Sequence, residues 1–174
     1  PDHTVISYVN TSAAVKAVTD VVVTSTNAKQ IVESFAKEQK IIFGPDKNLG
    51  NYINSITNRN MLLWDGACHV HEKFSVEKII ELKKQYPDAD VLVHPECKGA
   101  VAKLADKVGS TAGLLKHAIA SDKKNFIVAT ESGILYEMRK KCPEKNFIPA
   151  PPEDSTCACN ECNFMRLNTL EKLY

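Results

Sequence analysis

The sequence predicts an α/β fold of two similar three-layer αβα domains, each with a short parallel sheet. Three observations predict it. Short apolar, β-branched runs alternate with segments of helical spacing, the order that forms βαβ units. The strand ends recur with an offset of about 86 residues, so one four-strand unit is read twice. The composition is that of an ordinary globular chain: 174 residues, 44% apolar and 25% charged. A chain of that length buries enough surface to fold without disulfide staples.

The strands are expected in order at Val5–Val9, Val21–Thr24, Ile41–Phe43 and Met61–Trp64. In the second unit they are expected at Val91–Val93, weakly at Val108–Gly109, then at Phe126–Val128 and Phe147–Ile148. Helices are expected between them. Thr11–Val18 is Ala-rich and opens on a Thr-Ser capping pair. Asn27–Gln39 has Asn27 as N-cap and Ile31, Val32 and Phe35 at helical spacing. Ser75–Gln85 opens on Ser75 and carries Val76, Ile79, Ile80 and Leu82; Ala100–Val108, Ala112–Ala120 and Ile134–Lys141 complete the set. The boundary between the units falls between Cys68 and Ser75. This gives domains 1–72 and 73–174, the second with a cysteine-rich tail.

Charge and hydropathy exclude some partners. Lys and Arg number 22 and Asp and Glu 21, a net charge of +1, without the basic excess of a nucleic-acid binder. No apolar run reaches the roughly 18–20 residues of a membrane span. The chain starts Pro1-Asp2-His3, with neither initiator Met nor signal peptide, so a processed start or a piece of a longer protein is expected.

Polar residues gather just past the expected strand ends. They include Tyr8-Val9-Asn10-Thr11-Ser12, Thr24-Ser25-Thr26-Asn27, Pro45-Asp46-Lys47-Asn48 and Asp65-Gly66-Ala67-Cys68. The second unit offers His94-Pro95-Glu96-Cys97, Gly109-Ser110-Thr111 and Thr130-Glu131-Ser132-Gly133. Parallel sheets bind ligands at that edge, where helix N-termini present free N–H groups, so a small anionic substrate is expected. Any one Ser, Thr or Asn is accounted for as a helix cap, but Tyr, His, Glu and Cys on the same edge are not.

Three of the six cysteines form the cluster Cys157-Ala158-Cys159-Asn160-Glu161-Cys162. Such spacing in a cytoplasmic chain points to metal or redox chemistry. The residues leave open an iron–sulfur cluster, a zinc site on Cys157, Cys159 and Cys162, and a redox disulfide. Cys68 and Cys97 each follow a strand end and are placed to approach the tail, whereas Cys142 reads as a bystander. His71 and His94 are candidate acid–base groups, His94 the stronger because Glu96 lies two residues on. His69, His71 and His117 also fit as ordinary helix-end residues, a reading preferred for His117.

Several ordered motifs carry a family resemblance across essentially the whole chain. They are Tyr8 to Ala17, Pro45 to Gly50, Trp64 to His71, His94 to Cys97, Gly109 to Thr111 and Asn168 to Glu171. Together they resemble the quinolinate synthase family of the bacterial A type, the 4Fe–4S enzymes of de novo NAD biosynthesis. The resemblance implies three similar α/β domains in pseudo-threefold arrangement, of which this chain holds the second and third. It implies a 4Fe–4S cluster with one Cys ligand per domain: Cys68, Cys162, and a third in the first domain. It further implies that Cys157 and Cys159 are not cluster ligands and form a possible disulfide pair. The tail departs from the family pattern at Asn163, where Pro is usual, and in the single residue between Cys157 and Cys159.

The reaction implied joins iminoaspartate to dihydroxyacetone phosphate in the cytoplasm, with loss of phosphate and two waters, and L-aspartate oxidase is a possible partner. Tyr8, His94 and Glu96 are the implied catalytic residues. Tyr8, Asn10, Ser25, His94, Glu96 and Thr111 are the implied substrate contacts.

Overall fold

The computed structural model describes residues 2–154 and 160–174. The described residues form two four-stranded parallel sheets with the same internal order. The first comprises β1 (His3–Tyr8), β2 (Val21–Val23), β3 (Lys40–Gly44) and β4 (Leu62–Leu63), ordered β2-β1-β3-β4. The second comprises β5 (Asp90–Val93), β6 (Lys107–Val108), β7 (Asn125–Ala129) and β8 (Asn146–Pro149), ordered β6-β5-β7-β8. Register repeats with order: Ile6 faces Val21 in the first sheet, and Leu92 faces Lys107 at the corresponding place in the second. Helices flank both sheets, giving the expected pair of αβα layers.

The repeat extends to a side-chain brace. Asp20 accepts the Val5 N–H at 2.8 Å, and Asp106 accepts the Val91 N–H at 2.8 Å. Each thereby ties the start of β2 or β6 to its neighbouring strand. Partial burial raises the Asp106 pKa, but Lys83 and the Val91 N–H outweigh it and hold the carboxyl below its usual range. A lowered pKa stabilises the fold above the unfolded value and loses that contribution as pH falls through the folded one. Asp106→Asn should therefore flatten the acid limb of stability against pH below about 4. Urea titrations at stepped pH check this, and limbs of equal slope in variant and wild type refute it.

Three helices are shorter than their apolar spacing suggests, each for a tertiary reason. The helix α1 (Ala13–Lys16), capped by Ser12, stops where the Thr19 hydroxyl takes the Val15 carbonyl at 2.8 Å. In α2 (Ala28–Glu33), Asn27 occupies the N-cap position, but its side chain turns back to accept from Thr24 N at 2.7 Å. The far end of α2 is closed by Arg59, whose guanidinium donates to the carbonyls of Val32, Phe35, Ala36 and Lys37. The helix after β5 is cut to Gly99–Ala102 because Asp106 N returns to the Val91 carbonyl and starts β6.

A further helix, Lys47–Thr57, lies where the sequence reading has none. Its residues are mostly polar, yet Leu49 and Ile53 are fully buried one turn apart. Asp46 caps its start, and Asn58 closes it at φ 52°, a left-handed geometry that Asn tolerates. Helices Val76–Gln85, Thr111–Ala120 and Ile134–Lys141 lie where expected, and a short turn of helix, Leu170–Leu173, ends the tail. The first sheet has one core, built on Ile6, Phe43, Leu49 and Ile53. The second is packed on both faces, around Phe74, Ile79 and Val91 on one and Leu92, Phe126 and Met138 on the other. No described helix is long and apolar enough to cross a membrane.

Candidate active site

One cavity of about 1040 Å³ opens at the C-terminal edges of the strands. Tyr8, Asn10, Cys68, His94, Glu96, Thr111 and Cys162 all line it, so seven of the eight sequence-nominated residues converge there. Ser25, the eighth, is half-buried beside them, its hydroxyl 3.2 Å from His94 Nε2.

The Cys68 segment is built by the loop that precedes the helix Lys47–Thr57. The Asp46 carboxylate, 2% exposed, accepts Leu49 N at 2.7 Å with one oxygen and Cys68 N at 2.8 Å with the other. Lys47 N donates to the Gly66 carbonyl, and Lys47 Nζ pairs with Asp65 at 2.8 Å. Only glycine fits at position 66, where a Cβ would stand 2.5 Å from the Pro45 carbonyl oxygen. Glu72 N then bonds the Cys68 carbonyl, and the resulting turn carries His71 inward beside the thiol. Asn48 donates to Glu72 and reaches across to the second repeat to donate to the Glu96 carbonyl.

Glu96 is the centre of the polar cluster. It is 3% exposed and accepts Asn10 Nδ2 at 3.5 Å. Its Oε2 lies 3.2 Å from His71 Nδ1 and 3.5 Å from His94 Nδ1. The two imidazoles stack with centroids 4.7 Å apart. Burial disfavours the charged form of His71, but the adjacent Cys68 thiol and, after it, the Glu96 carboxylate overcome it and push the pKa up to about 9. Burial and the neighbouring His71 charge push His94 down to about 4, Glu96 opposing them. Burial raises Glu96, but the two imidazoles, His71 above all, hold it below its usual range. Burial also raises Tyr8, against the nearby Ser25 hydroxyl, and raises Asp46 to about 6, against its two N–H donors. The two imidazoles are thus pushed in opposite directions around one carboxylate, a separation that acid–base chemistry can use.

Sequence reading placed His71 among ordinary helix-end residues as readily as in a site. The structure makes it a wall residue, 5% exposed, with Nε2 3.0 Å from Thr130 Oγ1. Thr130 and Asp46 carried no individual role in the sequence. Their signal was position alone, just past the ends of β7 and β3. His117 is the expected half-exposed helix residue, paired with Asp90 at 2.9 Å. Cys142 is buried in the core beneath the helix Ile134–Lys141, and Cys97 donates to the Ala129 carbonyl; neither reaches the cavity. Cys157 and Cys159, with their suggested disulfide or zinc roles, lie outside the described residues.

The donor chemistry suits a metal. Cys68 and Cys162 are free thiols lining the same cavity, and donor atoms of Cys68, His71 and Glu96 lie within 4.8 Å of one another. Cys162 is held by its N–H on Glu131 Oε1 at 3.4 Å.

A family profile described as Quinolinate synthetase A protein matches residues 1–174. The chain is 59% identical to the quinolinate synthase of Chloroherpeton thalassium over 174 residues, all of this chain and 54% of that protein. It is 55% identical to the quinolinate synthase of Thermosynechococcus vestitus and 53% identical to that of a Synechococcus species, again over the whole chain and 54% of each relative. It therefore spans about half the length of the curated relatives it matches. With the repeat, the edge cavity and the two thiols that line it, this match establishes that the chain belongs to the quinolinate synthetase A family.

Proposed function

We propose that residues 1–72 and 73–174 are the second and third repeats of an enzyme that makes quinolinate. It would condense iminoaspartate with dihydroxyacetone phosphate, releasing phosphate and two waters and closing the pyridine ring. The observation that carries this reading is the His71–Glu96–His94 cluster facing the same cavity as Cys68 and Cys162. A 4Fe–4S cluster held by Cys68, Cys162 and a cysteine outside this chain would supply Lewis acidity at its open iron when bound.

The chain's own residues supply binding and proton movement. Thr111, at the first turn of the helix capped by Ser110, offers its hydroxyl and neighbouring N–H groups to a carboxylate or phosphate. Ser25 serves the same anionic oxygens from the first repeat. Asn10, oriented by Glu96, contacts the substrate through its amide. His71 holds a proton at Nδ1, next to Glu96, and is the donor to a leaving hydroxyl. Tyr8 and His94 move protons at the substrate, His94 supported by the Ser25 hydroxyl 3.2 Å from its Nε2. The working protein acts in the cytoplasm on small metabolites, away from nucleic acid and membrane, with an L-aspartate oxidase as the supplier of iminoaspartate.

The test is anaerobic reconstitution of the full-length protein with iron and sulfide, followed by assay of quinolinate. Wild type is expected to show cluster absorbance and product. Cys162→Ala should lose both, and Cys142→Ala should retain both. A full cluster in Cys162→Ala would overturn the ligand assignment. A fully loaded wild type that forms no quinolinate would overturn the reaction.

A further inference from the structure

We propose that Cys68, His71 and Glu96 form a site for a single divalent transition-metal ion of the zinc class, independent of Cys162 and of any residue outside this chain. Each residue offers one donor, a thiolate sulfur, an imidazole nitrogen and a carboxylate oxygen, all within 4.8 Å of one another. That is the three-ligand set of open zinc sites, in which a fourth position is left to water or substrate. All three residues line the cavity, so the fourth position faces it.

An unpartnered atom marks the site independently. His71 Nδ1 is fully buried and lacks a hydrogen-bond partner. It lies 3.2 Å from Glu96 Oε2, but off hydrogen-bond geometry. The other ring nitrogen, Nε2, is 3.0 Å from the Thr130 hydroxyl. A metal-ligating histidine characteristically donates its second N–H to such an oxygen, which fixes the ring and directs the first nitrogen at the ion. Thr130 is then the outer support of the site. Asp46 and Asn48 hold the Cys68 and Glu96 backbones in place from behind. Binding releases the thiol proton and any Nδ1 proton to solvent, and no electron transfer is involved. Because Cys68 is shared, the single ion and a cluster exclude one another.

The probe is Co2+ alone, titrated anaerobically into metal-free protein and then displaced by Zn2+. One equivalent with thiolate-to-cobalt absorbance is expected. Cys162→Ala should bind with unchanged affinity, and His71→Gln should lose the thiolate band. Thr130→Val, which keeps side-chain shape, should weaken binding by about 10-fold or more. Absence of the thiolate band in folded wild type, or its loss in Cys162→Ala, overturns the proposal. So does unchanged affinity in His71→Gln and Thr130→Val. Since cluster loading and quinolinate formation are not read, this result is distinguishable from failure of the proposed reaction.

Discussion

Glu96→Gln is expected to lower quinolinate formation by the full-length protein by roughly 100- to 10,000-fold, the range for loss of a positioned acid–base group. Iron content and fold should be retained, because neither Cys68 nor Cys162 is touched. The carboxylate lies within 3.5 Å of both buried imidazoles and acts with Cys68, the larger contributor, to offset the cost of burying a charged His71. Glutamine preserves size and an acceptor for Asn10 but removes the charge. His71 then has only Cys68 to offset the cost of burial, so its pKa falls and the donor proton at Nδ1 is held less firmly. The measurement is kcat at matched iron content, with the His71 ring titration followed by NMR. Wild-type turnover, or an unchanged His71 titration, would remove Glu96 from its central place.

Asp46→Asn is the second large effect. Both carboxylate oxygens are engaged with backbone N–H groups, and the side chain is closed to solvent. An asparagine has one acceptor oxygen. Its NH2 must face either Leu49 N–H or Cys68 N–H, leaving a buried donor unmatched at a cost of about 1–3 kcal/mol. In a chain of this size 2 kcal/mol is roughly 4–8 °C of melting temperature. Unpinning Cys68 should also speed alkylation of its thiol in the metal-free protein and lower cluster loading in the full-length one. A melting temperature and a Cys68 alkylation rate equal to wild type would show that the carboxylate does not position the loop.

The repeat explains why these residues meet. Tyr8 and His94 occupy corresponding places at the ends of β1 and β5, and Asn10 and Glu96 lie two residues beyond them. In the structure the correspondence becomes contact: Asn10 bonds Glu96, and Ser25 bonds His94. One strand-end position, used twice, supplies an amide in one copy and a carboxylate in the other. The pocket is thus assembled from equivalent edges of two sheets that carry different side chains.

Eight strands, their parallel pairing and the doubling were legible in the sequence because each rests on local pattern: β-branched runs, their spacing, and alternation with helices. The helix Lys47–Thr57 was not, since its few apolar residues sit among Asn, Thr and Gly and gain their meaning from Phe43 and Leu63 beneath them. Nor was the end of α2, where the helical spacing runs on to Gln39 but Arg59 takes the carbonyls and closes it.

By itself the sequence determined the α/β class, the two repeats, the polar strand-end edge, and seven residues that line one cavity. Only the tertiary structure decided that His71 is a buried partner of Glu96 rather than a helix-end residue, that Ser25 lies against His94, and that Cys97 belongs to the core. The physical reason is that burial and charge pairing are set by distant neighbours. An imidazole and a carboxylate separated by a helix and a strand in the chain have no local signature until folding brings them within 3.2 Å.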